Sequence, residues 1–244
     1  MTPYPVLYPV AMRRLPFFLL SIASILIPRA PLSAQTPKPI IEKIEWTWTD
    51  RPETPMPNLP NVLLVGDSIT RGYYPAVEKD LTGAANVYLF ASSICSGDWR
   101  LPIQLHIYFE TMGLHFAVIQ FNNGMHGWGY TEQQYAAGLP KVIAALRAGA
   151  PGAGLIWAST TPVLHDAANP SGEGQGGATN ARIDARNHLA AALMRRDQIP
   201  TDDLHALMLK HQDLHKGDVH YTDAGYAVMA GQAVESVRAA LAHP

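Results

Sequence analysis

The sequence predicts an α/β fold in which a parallel sheet carries helices on both faces. Short, continuous apolar runs alternate along the chain with longer stretches of helical periodicity. The first run, Val62–Val65, contains no polar residue, as expected for a strand that is buried on both faces. A length of 244 residues with 48% apolar residues is sufficient for a domain that needs no metal or disulfide to hold its core.

The predicted elements follow one another regularly after residue 60. Four runs are predicted as strands: Val62–Val65, Asn86–Phe90, Ala117–Phe121 and Leu155–Ala158. Helices are predicted near residues 74–82, 102–112 and 131–148, and over Asn180–Arg196 and Asp223–Ala242. Sheets of this kind place their sites beyond the carboxyl ends of the strands, so the residues that follow each strand are the candidates for function.

The segment before residue 61 has two parts of different composition. In residues 1–34, Arg13 and Arg14 precede an apolar run from Leu15 to Ile27, and small residues end at Ala34. This order is typical of a secretory signal peptide and predicts a periplasmic or secreted protein; an uncleaved membrane anchor is the alternative. Residues 35–60 are proline-rich and are predicted to form an extended lead-in segment, with an added edge strand, before the domain at 61–244.

Charge and cysteine content exclude several classes of protein. The chain has 18 basic and 20 acidic residues, and cleavage after Ala34 would remove three arginines and change the net charge from −2 to −5. Because there is no basic stripe, we expect no nucleic-acid partner. Cys95 is the single cysteine, which excludes an internal disulfide, and its position in an apparent loop favours a structural role over a nucleophilic one.

A metal site is the alternative suggested by four histidines near the C-terminus, which are His205, His211, His215 and His220. No His-Glu-x-x-His pattern accompanies them, so surface or supporting roles are favoured. We therefore expect neither a metal nor another cofactor.

Polar residues suited to acyl transfer follow three of the strands and precede the last helix. Ser68 lies in Gly66-Asp67-Ser68, near the start of a helix whose free amides favour a developing negative charge, although a serine there is often only a helix cap. Gly97, in Ser96-Gly97-Asp98, offers a backbone N–H without a Cβ in the way. Asn122 and Asn123 offer uncharged side-chain donors, and His220 is a candidate general base.

These four segments resemble the SGNH, or GDSL-type, hydrolase superfamily in order and in content. Residues 66–70 resemble its first block, with Ser68 as the nucleophile, and residues 96–98 its second, with Gly97 in the oxyanion hole. The asparagines fall at its third block, and residues 218–222 resemble its last block, with His220 as the base. The resemblance covers residues 66–222 and implies a flavodoxin-like three-layer α/β/α fold and ester hydrolysis through an acyl-serine.

Two departures from the family pattern leave alternatives open. The third block is usually Gly-x-Asn-Asp, whereas Phe121-Asn122-Asn123-Gly124 stands here, so either asparagine can be the oxyanion donor; Asn122, closer to the strand, is preferred. Gly217 occupies the position, three residues before the histidine, that usually holds aspartate. Asp218 is the expected replacement, and Asp213, a backbone carbonyl or a site without a carboxylate are the alternatives.

The loop after the third predicted strand is expected to line the mouth of the site. His126 and Trp128 are candidate substrate contacts, with Trp128 either a sugar platform or a residue that packs the loop. The resemblance to the hydrolase superfamily, together with the export signal and the small size of the domain, favours acetyl esters of carbohydrates as substrates. A lysophospholipase or thioesterase, and an inactive carbohydrate-binding protein with this fold, are the alternatives, and the sequence does not indicate an oligomeric state.

Overall fold

A six-stranded sheet is the centre of this computed structural model, which describes residues 38–166 and 176–242. Its strands are β1 (Thr47–Asp50), β2 (Asn61–Gly66), β3 (Asn86–Ser92), β4 (Val118–Phe121), β5 (Gly154–Ala158) and β6 (Thr201–Asp202). Their order is β1-β3-β2-β4-β5-β6, and β1 alone is antiparallel to its neighbour. The mostly parallel sheet is confirmed, and the lead-in segment supplies the expected edge strand.

The strand order reverses next to β2, and this reversal determines where a ligand site is expected. From β2 the chain moves outward to β3 and then returns to β4 on the other side of β2. The carboxyl ends of β2 and β4 therefore flank the crevice in which doubly wound sheets bind their ligands. Ser68 follows β2 and the two asparagines follow β4, so the topology brings both segments to one crevice.

Six α-helices cover the two faces of the sheet. They are α1 (Ser68–Asp80), α2 (Arg100–Met112), α3 (Glu132–Gly149), α4 (Asn180–Arg196), α5 (Leu204–Met208) and α6 (Asp223–Ala242). Alternate residues of β2 point to opposite sides: Val62 and Leu64 pack with α1 and α6, whereas Leu63 and Val65 pack with α2, α3 and α4. This alternation creates two apolar cores and confirms the three-layer arrangement.

The predicted helices are found with small shifts in their ends. Helices α4 and α6 have the predicted bounds, and α3 begins at a capping box in which Thr131 and Gln134 bond reciprocally. Helix α1 begins six residues earlier than the apolar periodicity predicts, because the Asp67 side chain accepts a hydrogen bond from the Ile69 N–H and caps it.

The segment from residue 201 to 221 contains short elements that the sequence pattern did not predict. After β6 and α5, a 3-10 turn at Gln212–Leu214 leads into a two-stranded hairpin of β7 (His215–Lys216) and β8 (His220–Tyr221). Elements this short carry too little periodicity to be recognised. The predicted signal peptide at 1–34 lies outside the described residues.

Candidate active site

Ser68 is the first residue of α1, directly after the tight connection from β2. A Cβ on Gly66 would lie 2.0 Å from the Thr70 hydroxyl, so only glycine fits this turn. Because Asp67 caps the helix, through a 3.0 Å bond from the Ile69 N–H, Ser68 is not needed as a cap. The alternative reading of Ser68 as a helix cap is thereby wrong, and its hydroxyl is available at the positive end of the helix.

The ring of His220 meets the Ser68 hydroxyl, as the sequence predicted. The distance between His220 Nε2 and Ser68 Oγ is 2.9 Å, although 152 positions separate the two residues. Partial burial lowers the pKa of His220, as do the charges of His126 and Arg71, while the charge of Asp67 acts in the opposite direction. A neutral imidazole at this distance is able to accept the hydroxyl proton.

Asp218 does not orient His220, which corrects the role expected for this carboxylate. Its Oδ1 instead lies 2.9 Å from His165 Nδ1, in an ion pair whose side chains are 51% and 73% exposed. Gly217 has a φ of +74° in the turn between β7 and β8, and this turn directs the Asp218 side chain away from the cleft. Asp213 lies exposed on the 3-10 turn. Among the described residues, no carboxylate is hydrogen-bonded to His220.

The two asparagines after β4 point to different sides of the crevice. Asn122 Nδ2 donates to the carbonyl of Ala158 and, at 3.2 Å, to the Thr160 hydroxyl, so Asn122 faces β5. Asn123 Nδ2 donates to the carbonyls of Gly66 and Ser92, at 3.2 and 3.0 Å, where β2 and β3 end. Asn123 therefore points to the ends of β2 and β3 and Asn122 to β5, and which of the two amides donates to an oxyanion stays a prediction.

Both asparagine amides are fully engaged in this state of the protein. Each Nδ2 has two hydrogens, and each already has two acceptors within the protein. Asn123 Oδ1, by contrast, is buried without a hydrogen-bond partner. Donation from Asn123 to an oxyanion thus requires that it exchange a carbonyl contact for the substrate, and the role stays a prediction.

Gly97 occupies a crowded position in the loop after β3. A Cβ there would lie 3.3 Å from both the Tyr130 ring and the Tyr135 backbone, so a side chain would fit only if these neighbours moved slightly. The Gly97 backbone N–H also faces the sulfur of Cys95, whose burial raises the pKa of that thiol to about 11. A thiol that stays protonated at neutral pH is a poor nucleophile, in agreement with a structural role for Cys95. The oxyanion role of Gly97 stays a prediction.

His126 is held beside the catalytic pair by a carboxylate that the sequence did not indicate. Glu42 of the lead-in segment is 5% exposed; its Oε2 lies 2.8 Å from His126 Nδ1, and its Oε1 accepts the Gly127 N–H at 2.8 Å. Burial by itself would lower the pKa of His126, but the bond to Glu42 and the charges of Asp67 and Glu42 raise it above the ordinary value. The ring of His126 thus keeps its proton to higher pH than an ordinary histidine does.

Trp128 packs the loop and is not an exposed sugar platform, which corrects that expectation. It is 2% exposed, and its indole N–H donates to the Met125 carbonyl at 2.6 Å. The guanidinium of Arg186 lies 3.8 Å from the centre of its ring. Arg186 is itself fully buried and donates to the carbonyls of Gly124, His126 and Gly127 at 2.8 to 2.9 Å. Arg186 on α4 thus fixes the loop. The periodicity of the α4 sequence did not indicate this role.

Two other tryptophans line the mouth of the cleft. The ring of Trp46 packs edge-on against His126, with 5.6 Å between ring centres. Trp48, two residues along β1 on the same face, is 49% exposed. The guanidinium of Arg71 lies 4.7 Å from the centre of the Trp48 ring and 5.8 Å from that of Trp46. The lead-in segment therefore forms one wall of the site.

The four C-terminal histidines do not gather around a common point. His205 contacts the Thr160 carbonyl and Asp184, whereas the ring of His215 stacks on Tyr221 at 4.1 Å. Within 38–166 and 176–242, no group of three or more His, Cys, Asp or Glu residues has the arrangement of a metal site. None of the helices in these ranges is long and apolar enough to cross a membrane.

A serine and a histidine within hydrogen-bond distance at the switch point of a mostly parallel sheet have the arrangement that hydrolysis through a serine nucleophile requires. The chain belongs to the GDSL-like lipase/acylhydrolase family, whose model matches residues 64–228, and it is a carboxylic ester hydrolase. No curated protein matches the sequence significantly.

Solved structures with the same fold include several esterases. A carbohydrate esterase family 3 structure from Talaromyces cellulolyticus has a TM-score of 0.59 and 15% identity, covering 76% of this chain and 100% of that one. A carbohydrate acetylesterase from Sinorhizobium meliloti gives 0.56 and 15%, covering 74% and 99%. The aryl esterase of M. smegmatis gives 0.55 and 15%, covering 74% and 98%. At such identities the likeness concerns the fold.

Proposed function

We propose that this protein is an esterase that removes small acyl groups, acetyl above all, from carbohydrates by way of an acyl-serine. The observation that carries the chemistry is the 2.9 Å contact between Ser68 Oγ and His220 Nε2. His220 takes the hydroxyl proton as Ser68 attacks the ester carbonyl, and the protonated ring then gives that proton to the departing alcohol. Water activated by the same ring releases the acid from the serine.

The free space in the protein supports a small acyl group. A cavity of about 10 Å³ adjoins the site, between Asp67 and Asn122, and this is the space of a single water molecule. Another cavity, of about 550 Å³, is lined by Gly154 and Pro200, at the amino ends of β5 and β6 and at the opposite end of the sheet from Ser68. That cavity is therefore too far from Ser68 to hold the acyl group.

Trp46 and Trp48 support a carbohydrate as the alcohol part of the ester substrate. Trp48 is half exposed and contacts Arg71, which lies one helical turn from Ser68, and its indole offers an apolar face on which the C–H groups of a sugar ring can pack. Two solved structures with this fold are described as a carbohydrate esterase and a carbohydrate acetylesterase. The signal-like composition of residues 1–34 supports action in the periplasm or outside the cell, where polymeric carbohydrate is found.

The test combines one variant with a series of substrates. Ser68→Ala should abolish hydrolysis of 4-nitrophenyl acetate and leave the melting temperature nearly unchanged, whereas Ser93→Ala, in the next loop, should retain turnover. Retained turnover in Ser68→Ala would refute the nucleophile. A rate that rises steadily from acetyl to octanoyl esters would instead support the lysophospholipase or thioesterase alternative, and failure to react with a fluorophosphonate probe would support the inactive binding protein.

A further inference from the structure

Arg71 is an exposed residue close to Ser68, and no carboxylate of the described residues forms an ion pair with it. It lies three residues after Ser68 on α1, so the two side chains project from neighbouring positions on one side of the helix. Among the ion pairs of residues 38–166 and 176–242, none includes Arg71, although Arg100, Arg182 and Arg196 each contact a carboxylate. Arg71 is thus an exposed positive charge that none of these ion pairs neutralises, and it lies one helical turn from the reactive serine.

The position of the guanidinium is determined by stacking. It lies over the ring of Trp48 at 4.7 Å and within 5.8 Å of the ring centre of Trp46. Such stacking uses the flat face of the guanidinium and leaves the N–H groups at its edge free to donate. These N–H groups form a rigid fork that matches the two oxygens of a carboxylate. The Arg71 guanidinium is thus already positioned to bind an anion.

The charge of Arg71 reaches the reacting groups. Arg71 is one turn of α1 from Ser68, and its charge is among those that lower the pKa of His220. An anion bound at Arg71 would therefore lie close to the ester that Ser68 attacks. The exposed face of Trp48 adjoins the same place and provides a surface for the sugar ring that carries the anion.

We propose that Arg71 and Trp48 form a subsite for a carboxylate on the alcohol part of the substrate, so that the preferred substrates are O-acetyl esters of acidic sugars. Trp48 packs against the sugar ring, and Arg71 pairs with its carboxylate through two parallel N–H···O bonds. This inference rests on the proposed esterase function and specifies the substrate class for that site.

The test uses a pair of substrates that differ in one charge. The methyl glycoside of an O-acetylated uronic acid is compared with its carboxyl methyl ester, which keeps the sugar and the acetyl group and removes the negative charge. The wild-type protein should prefer the acid by about tenfold in kcat/KM, as expected for hydrogen bonds to a charged group at a partly exposed site. This preference should shrink as salt is added, because salt screens exposed charges.

Three variants assign the preference to the subsite. Arg71→Gln should bring the ratio of the two kcat/KM values to about one, and Arg71→Lys, which keeps the charge but loses the fork, should give an intermediate ratio. Arg195→Gln removes the same charge from the exposed end of α4 and should keep the wild-type ratio. Since each result is a ratio within one variant, a change in overall activity or folded fraction does not affect it.

The outcomes separate this inference from the proposed function. If the wild-type protein hydrolyses 4-nitrophenyl acetate but treats the acid and its methyl ester alike, the subsite is refuted and the esterase stands. A preference that survives in Arg71→Gln refutes the subsite as well. If 4-nitrophenyl acetate and both sugar esters remain intact, the esterase function itself has failed.

Discussion

Replacement of Asp218 by asparagine should leave catalysis almost unchanged, although this residue lies two positions before the catalytic histidine. Where a carboxylate orients the imidazole of a serine hydrolase, its conversion to an amide lowers kcat by about 10⁴-fold. Here Asp218 pairs with His165 at 2.9 Å, with both side chains more than half exposed. Exposed pairs of this kind contribute roughly 0 to 1 kcal/mol, so Asp218→Asn should change kcat by less than about fivefold.

The assay measures kcat and KM for 4-nitrophenyl acetate from pH 5 to pH 9, together with the melting temperature. His165→Gln removes the same ion pair from the other side and should match Asp218→Asn in every measurement. His220→Gln is the positive control and should lose roughly 10⁴-fold or more in kcat. A loss of about 10³-fold in Asp218→Asn, with an unchanged melting temperature and an unaffected His165→Gln, would show that Asp218 orients His220 during turnover.

Three further predictions follow from the contacts around the catalytic pair. Because the pKa of His220 is lowered, the base stays neutral to lower pH than an ordinary histidine, and the acidic limb of kcat/KM should have its midpoint below about 6.5; a midpoint clearly above that value would contradict this assignment. Glu42→Gln should lower the pKa of His126, because an amide cannot stabilise the imidazolium as a carboxylate does. The pKa is measured by NMR titration of the ring, and an unchanged value would show that Glu42 does not raise the pKa of His126. Arg186→Met should reduce the free energy of unfolding in urea by at least about 3 kcal/mol, because three carbonyls of the loop lose their donor at about 1 kcal/mol or more each; a change below 1 kcal/mol would contradict the role of Arg186 in fixing the loop.

The sheet and the serine–histidine pair were predictable because each depends on a local pattern. The run before Gly66 is continuously apolar, the glycine permits the turn, and Asp67 caps the helix that presents Ser68. The histidine lies directly before a helix with strong periodicity, so its approximate place in the fold was also available. Parallel strands end at one edge of the sheet, and this topology brought the two residues together.

The surroundings of the pair depend on side-chain directions, which a sequence pattern does not give. Asp218 and His220 are two positions apart, yet the turn at Gly217 sends the carboxylate to His165. Asn122 and Asn123 are adjacent, and opposite directions along an extended chain carry their amides to different strands. In both cases residues one or two positions apart have different contacts, and neither composition nor periodicity can distinguish between such close neighbours.

The lead-in segment shows where specificity lies in this structure. Glu42 is one acidic residue in a proline-rich stretch, and only the folded chain shows that it bonds to His126 and to the Gly127 N–H. The same segment carries Trp48, which orients Arg71. The serine and the histidine thus come from the segments that resemble the family, whereas the wall that we propose contacts the rest of the substrate comes from residues outside them. A relative that keeps Ser68 and His220 but differs in this segment should therefore hydrolyse the same kind of bond in a different alcohol.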